Sequence, residues 1–234
     1  MRILGIVTAR GGSKGIPRKN LAPLLGQPLL AYTAQAALAS QLTRVVLSTD
    51  CPEIAAVGEK LGLEVPFLRP AELAADDTPT LPVLQDVVRR LADQGDEYDG
   101  VFILQPTNPL RLVSDIDGAI ELLITSGADS VISFVPVGER HPARMKQLDP
   151  QRRVVNPPFA EQFEGQRRQD LPPYYLRDGS VYVTRMTILM EQNSIQGTDC
   201  RAWLMPVERA WNVDEPFDLF MVEQLLRYQQ VSGE

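Results

Sequence analysis

Short β-branched runs alternate with longer stretches of helical spacing along the first 135 residues, and this alternation restricts the folds that the chain can adopt. Strands that alternate with helices in this way form βαβ units and a mostly parallel sheet. We predict strands at residues 3–8, 44–48, 63–67, 100–105 and 130–135, and helices at residues 28–39, 53–61, 80–92 and 114–125. Pro66 places the third of these strands at a sheet edge or near its end. The expected fold class is α/β.

Length, charge and cysteine content exclude several classes of protein. A chain of 234 residues suits one α/β domain with an added element. Its 23 basic and 30 acidic residues give a net charge of -7, which argues against a nucleic-acid binder. Cys51 and Cys200 are far apart, so neither a disulfide framework nor a zinc site is expected. No apolar stretch approaches the roughly 20 residues that span a bilayer, and we expect a cytoplasmic protein without membrane contact.

The segment TARGGSKG follows the first predicted strand and concentrates glycine and positive charge. Gly11, Gly12 and Gly15 would let backbone amides approach a ligand closely. Arg10 and Lys14 add charge that suits a polyphosphate. The spacing matches neither the P-loop pattern nor the G-x-G-x-x-G pattern. A solvated basic turn is the alternative interpretation.

Polar residues also follow the other predicted strands, at the edge where open α/β sheets bind ligands. Lys19 and Asn20 lie just beyond Pro17 and are close enough to share a pocket with the basic segment. Asp50 is either the N-cap of the following helix or an acid of that pocket. Gln105 could recognise the edge of a base or a sugar, although its flanking prolines could simply shape a turn.

Two further segments carry candidate residues. The stretch FLRPAELAADDTPT offers Arg69 to the pocket, whereas Asp76 and Asp77 could merely cap the helix that begins near residue 80. In the stretch WNVDEPFDL, alternation points Asn212 and Asp214 to the same side of an extended segment. The Asp214 carboxylate could hold a magnesium ion there. The next acids of this stretch suit the first turn of a closing helix at residues 216–228.

Composition changes at residues 136–178, which are dense in Pro, Arg and Gln. A linker or disordered insert is one interpretation of this stretch. Its aromatic residues favour instead a packed excursion that could lie at a subunit contact; they are Phe159, Phe163, Tyr174 and Tyr175. His141, the only histidine of the chain, is expected at the surface. Beyond this stretch we predict strands at residues 179–184 and 204–207.

Six collinear segments resemble the acylneuraminate cytidylyltransferases, the CMP-sialic acid synthetases: ARGGSKGIPRKN, STD, RPAELA, LQPTNPLR, RRQDLPPYYLRDGSVYVT and WNVDEPFDL. The resemblance extends from residue 3 to about residue 225, and the related CMP-Kdo synthetases fit less well. It implies a Rossmann-like three-layer sandwich of the nucleotide-diphospho-sugar transferase type, with a mostly parallel sheet. It further implies a single domain over residues 1–234, an inserted dimerisation and sugar-binding extension at about residues 136–178, and a homodimer.

The resemblance implies transfer of a cytidylyl group from CTP to a nonulosonic, sialic-acid-like sugar of nine carbons, with Mg²⁺ and release of pyrophosphate. Legionaminic or pseudaminic acid as acceptor, GTP as donor, and a non-catalytic nucleotide-binding homologue are the alternatives. The residues assigned to catalysis are Arg10, Lys14, Lys19 and Asp214. Those assigned to the nucleotide are Ala9, Gly11, Gly12, Ser13, Asn20, Arg69, Thr80 and Gln105, and those assigned to the sugar are Gln105, Arg168 and Arg177.

One position departs from the family pattern. The metal motif of the family is typically Asp-x-Asp, whereas this chain has Asn212, Val213 and Asp214. An asparagine offers a neutral oxygen, so the site loses one negative charge. We therefore expect Asp214 to hold Mg²⁺, with a weaker contribution from Asn212.

Overall fold

A six-stranded sheet forms the centre of the computed structural model, which describes residues 1–163 and 165–232. The strands are β1 (Ile3–Thr8), β2 (Pro23–Leu24), β3 (Gln27–Pro28), β4 (Arg44–Ser48), β5 (Gly100–Leu104), β6 (Ser130–Pro136), β7 (Gln147–Leu148), β8 (Val154–Val155), β9 (Tyr175–Arg185) and β10 (Cys200–Leu204). The α-helices are α1 (Leu29–Leu38), α2 (Pro52–Lys60), α3 (Thr80–Ala92), α4 (Val113–Ser126), α5 (Met186–Met190) and α6 (Pro216–Ser232). Within the described residues, no helix combines the length and the apolar character needed to cross a membrane.

The central sheet is mostly parallel, which confirms the prediction from the alternating pattern. Its strand order is β10-β6-β9-β5-β1-β4. The pairs β10–β6, β5–β1 and β1–β4 are parallel, whereas β9 runs antiparallel to both of its neighbours. The carboxyl ends of β1, β4, β5 and β6 therefore meet the amino end of β9 at one edge. Ligands of open α/β sheets bind beyond this edge.

Both faces of the sheet are covered by helices, as a three-layer sandwich requires. Side chains of a strand alternate between the two faces. On β1, Ile3 and Val7 face a core that includes residues of α1, α2 and α4. Leu4 and Ile6 face a second core with residues of α3 and α5. A third apolar cluster joins Val213 and the helix α6 to residues near the basic segment.

Two predicted strands are wrong. Residues 63–67 do not form a strand; Glu64 makes a single bridge to Val46, and Pro66 offers no N–H for a ladder. The strand predicted at residues 204–207 lies earlier in the chain, as β10, because Pro206 again cannot donate to the neighbouring strand. The strand predicted at residues 179–184 is the end of the longer β9, and the short helix α5 was not predicted at all.

The segment of residues 136–178 contains short 3₁₀ turns and the β7–β8 hairpin. His141 is buried within it, so the prediction of a surface histidine is wrong. The His141 Nδ1 atom accepts a hydrogen bond from Ala143 N at 3.1 Å, and Nε2 donates to Pro172 O at 2.9 Å. Its ring packs edge-on against Tyr174. The histidine therefore ties the two ends of this segment together.

Candidate active site

A cavity of about 320 Å³ opens at the carboxyl edge of the sheet. The predicted residues that line it are Arg10, Gly12, Ser13, Lys19, Asn20, Arg69, Thr80, Gln105, Asn212 and Asp214. Lys14, Ala9 and Gly11 are not among the lining residues: Lys14 contacts the cavity residue Asp76, Ala9 is buried, and Gly11 N donates to Asp50. Residues from four separate parts of the chain therefore converge at one place.

Side-chain and backbone hydrogen bonds hold the loop of residues 9–20 at the end of β1. Gly11 N donates to the Asp50 carboxylate at 2.8 Å, and the buried Asn20 amide donates to Arg10 O at 2.9 Å. Asp50 is thus neither of the predicted alternatives: the N-cap residue of α2 is Cys51, and Asp50 fastens the loop instead. These two side chains therefore hold the loop backbone at Arg10 and Gly11.

Arg10 and Lys14 share a carboxylate. Asp76 lies 2.8 Å from Arg10 Nη1 and 3.0 Å from Lys14 Nζ. The hydrogen bond from Lys14, together with the positive charge of Lys14 and Arg10, lowers the pKa of Asp76. The predicted capping of α3 by Asp76 and Asp77 is wrong, because the N-cap position belongs to Pro79 and Asp76 turns toward the cations.

Asp214, from the C-terminal part of the sequence, also lines the cavity. Lys19 Nζ donates to Asp214 Oδ1 and to Val213 O, both at 3.0 Å. Asn212 Nδ2 donates to Asp214 Oδ2 at 2.6 Å, so both side chains lie on the same side of the segment, as the alternation predicts. A Cβ atom on Gly15 would lie 2.2 Å from Asp214 O. Only a glycine therefore lets the basic loop approach this segment so closely.

Arg69 lies deeper, where β4 ends. It is buried, and its guanidinium donates to Ser48 Oγ at 3.0 Å and to Ser48 O at 2.7 Å. Burial lowers the pKa of Arg69, while the nearby Asp50 carboxylate opposes that shift. The side chain is a fixed wall of the cavity, held by the strand.

Arg111 supports the cavity from behind Gln105. It is buried and donates to Gln105 O at 3.0 Å and, by a short hydrogen bond, to Ser180 O. Burial lowers the pKa of Arg111 to about 10. Asn108 is also buried and donates to Asp178 O at 3.1 Å. These contacts bind the end of β5 to β9 and hold Gln105 in place.

A buried ion pair fixes the segment that carries Asp214. Both terminal nitrogens of Arg209 donate to Asp115, which also accepts from Trp203 Nε1 at 3.3 Å. Val213 N donates to Thr107 O at 2.8 Å. Sequence reasoning missed this pair, because its partners are 94 residues apart. The only local sign of this pair is that Asp115 lies in the first turn of α4.

Arg168 and Arg177 do not line the cavity of this chain. Arg168 is exposed and forms an ion pair with Glu139 at 2.7 Å. Arg177 lies near the start of β9, paired in register with Phe134, and its guanidinium stands 5.9 Å from the Tyr182 ring centroid. Neither arginine is among the residues that line the cavity, although Arg177 lies near the end of β9 that meets the same edge of the sheet.

An α/β enzyme that transfers nucleotidyl groups is the class that accounts for a cationic cavity at this edge. The sequence model of the family described as cytidylyltransferase matches residues 4–208, and the chain belongs to this family. It is similar to the CMP-N,N'-diacetyllegionaminic acid synthase of Legionella pneumophila, with 32% identity over 98% of both chains. The pseudaminic acid cytidylyltransferase of Campylobacter jejuni is 32% identical over 100% of both chains.

Two further matches are a relative covered over about half of its own length and a solved structure of low sequence identity. The N-acylneuraminate cytidylyltransferase of Streptococcus agalactiae is 31% identical over 95% of this chain and 52% of its own length. A solved structure of CMP:2-keto-3-deoxy-manno-octonic acid synthetase complexed with CTP has a TM-score of 0.72. It is 16% identical and covers 98% of this chain and 100% of the other. That likeness shows a shared fold.

Proposed function

We propose that the chain transfers the cytidylyl group of CTP to the anomeric hydroxyl of a nonulosonic acid. The hydroxyl oxygen bonds to the α-phosphorus, the bond from that phosphorus to the oxygen bridging to the β-phosphate breaks, and pyrophosphate leaves with the hydroxyl proton released. The observation that carries the proposal is the single cavity that Arg10 and Lys19 share with Asp214 and Gln105. Two relatives that match over 98% or more of both chains are named for legionaminic and pseudaminic acid, which supports an acidic nine-carbon acceptor.

The cations of the basic loop bind the triphosphate in this proposal. Arg10, Lys14 and Lys19 neutralise phosphate oxygens, and charge stabilisation with positioning supplies most of the catalysis. Gly12 and Ser13 line the cavity and present the loop to the phosphates. Ala9 N bonds to Ser48 O and Gly11 N bonds to Asp50, so these two residues shape the loop from beneath. Asn20 acts in the same way through Arg10 O.

The donor set at the cavity fits Mg²⁺. Within residues 1–163 and 165–232, no group of three or more His, Cys, Asp or Glu side chains forms a metal cluster. Mg²⁺ commonly needs only one or two carboxylates, because substrate phosphates complete its coordination. Asp214 would hold it, with the Asn212 amide oxygen as a weaker ligand, and the ion would supply Lewis-acid polarisation of the phosphate. Lys19 shares Asp214 Oδ1 and would turn toward the phosphates.

We assign the remaining lining residues of the cavity to the nucleoside and to the sugar. Arg69, Thr80 and Gln105 line the cavity. We assign Arg69 and Thr80 to the nucleoside, and Gln105 to both nucleotide and sugar. The acceptor carboxylate suits the guanidinium fork of Arg168 or Arg177.

Arg168 and Arg177 lie outside the cavity of their own chain, which supports a homodimer whose extension completes the neighbouring site. We infer a single cytoplasmic domain over residues 1–234 with the extension at about residues 136–178. Large apolar side chains of this extension are half or more exposed; they include Leu148, Val154, Phe159 and Phe163. Sedimentation of the double variant Phe159→Ser/Phe163→Ser should show monomers, whereas Phe217→Ser, an exposed aromatic of α6, should leave dimers. A wild-type monomer at micromolar concentration would refute the homodimer.

Pyrophosphate release tests the reaction with CTP, GTP, UTP and ATP against several nonulosonic acids. CTP with one of these acids should give turnover, and Asp214→Ala should lower it by about 100-fold or more. Glu215→Ala, which removes an exposed neighbouring acid, should retain it. Asn212→Asp should keep or raise activity at limiting Mg²⁺. Thermal stabilisation by nucleotide without pyrophosphate release from any pair would instead indicate a non-catalytic homologue.

A further inference from the structure

Asp76 occupies two of the cations that the proposed function assigns to the triphosphate. Its two carboxylate oxygens contact different partners, Oδ1 with Arg10 and Oδ2 with Lys14. Arg10 also donates to the neighbouring Ala75 O at 3.2 Å. One short segment, which lies between Arg69 and the start of α3, therefore holds two cations of the loop, Arg10 and Lys14.

The Asp76 carboxylate meets Arg10 and Lys14 in the same way as one phosphate group would. It offers two anionic oxygens to two cations, which is also how a phosphate bridges a guanidinium and an ammonium. Without an anion between them, Arg10 and Lys14 would present like charges to the same space. The side chains of Asp76 and Lys14 are 49% and 77% exposed, so solvent screens the pairs and they can break readily.

We propose that Asp76 is a built-in competitor of the nucleotide at the phosphate-binding loop. A polyphosphate that binds to Arg10 and Lys14 must first displace the Asp76 carboxylate, so the free energy of nucleotide binding is reduced by the two broken ion pairs. This inference rests on the proposed function, since it uses the same assignment of both cations to phosphate. When the polyphosphate leaves, the return of Asp76 to the cations opposes rebinding.

The charge of Asp76, rather than its shape, carries this effect. Asp76→Asn keeps the size of the side chain and removes the negative charge. Asp77 provides a matched control, because it is the adjacent exposed acid and has no ion pair or side-chain hydrogen bond within the described residues. Damage to the loop would weaken phosphate binding, whereas loss of a competitor strengthens it, so the sign of the change separates the two.

Titration calorimetry with inorganic tripolyphosphate on the full chain tests the inference. We expect Asp76→Asn to bind about three- to ten-fold more tightly than wild type, since each exposed pair shifts an equilibrium by a few-fold. Asp77→Asn should match wild type. In a Lys14→Met background the gain from Asp76→Asn should shrink, because one of the two competing pairs is already gone.

Three outcomes would overturn the inference. Equal affinity of Asp76→Asn and Asp77→Asn would show that Asp76 does not compete, while the phosphate assignment of the loop would still hold. Weaker binding by Asp76→Asn would make Asp76 part of the phosphate site itself. Failure of tripolyphosphate to bind wild type and Asp76→Asn at millimolar concentration would refute this inference together with the phosphate-binding role of the loop.

Discussion

Replacement of Gly15 by alanine should separate the two halves of the active site without removing any functional group. A Cβ atom at this position would lie 2.2 Å from the carbonyl oxygen of Asp214. That oxygen belongs to the backbone, so no side-chain rotation relieves the contact. Either the basic loop or the segment that carries Asp214 must move.

The size of the movement follows from the contact distance. An ordinary carbon–oxygen contact is about 3.3 Å or more, so the loop and the segment must separate by about 1 Å. A displacement of this size between catalytic groups can cost about 100-fold in rate, which corresponds to about 2.7 kcal/mol of transition-state stabilisation. Overpacking alone costs about 1–3 kcal/mol of the free energy of unfolding.

Gly100→Ala is the matched control for this loss. Its Cβ atom would lie 2.7 Å from Thr184 O, again a backbone oxygen, at the opposite edge of the sheet. Urea unfolding should show destabilisation of both variants, and kcat/KM for pyrophosphate release, per folded molecule, should fall about 100-fold for Gly15→Ala alone. The reasoning would be refuted if both variants retained kcat/KM within about three-fold of each other, a difference of less than 0.7 kcal/mol.

Two further predictions concern stability. Asp115→Ala leaves Arg209, whose side chain is only 15% exposed, without its partner and should lower the free energy of unfolding in urea by about 3 kcal/mol. Glu223→Ala, at an exposed helical pair, should cost less than about 0.5 kcal/mol. Similar losses would contradict the burial argument. Backbone hydrogen bonds from Asp199 and Thr198 lower the pKa of Asp129, so this carboxylate stabilises the fold above its ordinary pKa, and its contribution is lost as the pH falls through the lowered value. Unfolding measured from pH 7 to pH 3 should therefore depend less on pH in Asp129→Asn, and an unchanged slope would contradict this assignment.

Local patterns were sufficient for four of the five parallel strands of the sheet, β1, β4, β5 and β6, but not for β10. The runs at β1, β4, β5 and β6 are continuous and apolar because helices cover both faces of these strands. The patterns failed where pairing with distant parts of the chain determines whether a strand forms. β10 is a partly exposed edge strand with a charged residue in it, and residues 63–67 look like a strand but meet only one bridge. The start of β9 is exposed and polar, so its apolar signal begins several residues too late.

The sequence also predicted part of the candidate site: which residues lie close together, but not which contacts hold them. The rule that ligands bind at the carboxyl edge of the sheet predicted that Arg10, Lys19 and Gln105 lie close together, and all three line the cavity. Asp214 was predicted from the alternation along residues 211–214 and from the family resemblance, not from this rule. The carboxyl-edge rule does not predict which acidic side chains bind the loop. Asp50 looked like a helix cap and fastens Gly11, while Asp76 looked like a helix cap and binds Arg10. Both are contacts between residues far apart in the sequence, which no local spacing encodes.

The absence of a negative charge at Asn212 affects both the metal side and the phosphate side of the cavity. Asn212 Nδ2 lies 2.6 Å from Asp214 Oδ2, so an aspartate at this position would place two carboxylates in contact. Like charges at such a distance need a cation between them, whereas the asparagine amide supplies a hydrogen-bond donor and holds the segment by itself. Arg10, Lys14 and Lys19 have only Asp76 and Asp214 as ion-pair partners within the described residues, and Arg69 also lines the cavity. These four cations and two acids leave the cavity an excess of two positive charges. This excess favours a polyanion at the phosphate side, at the expense of metal affinity at the other.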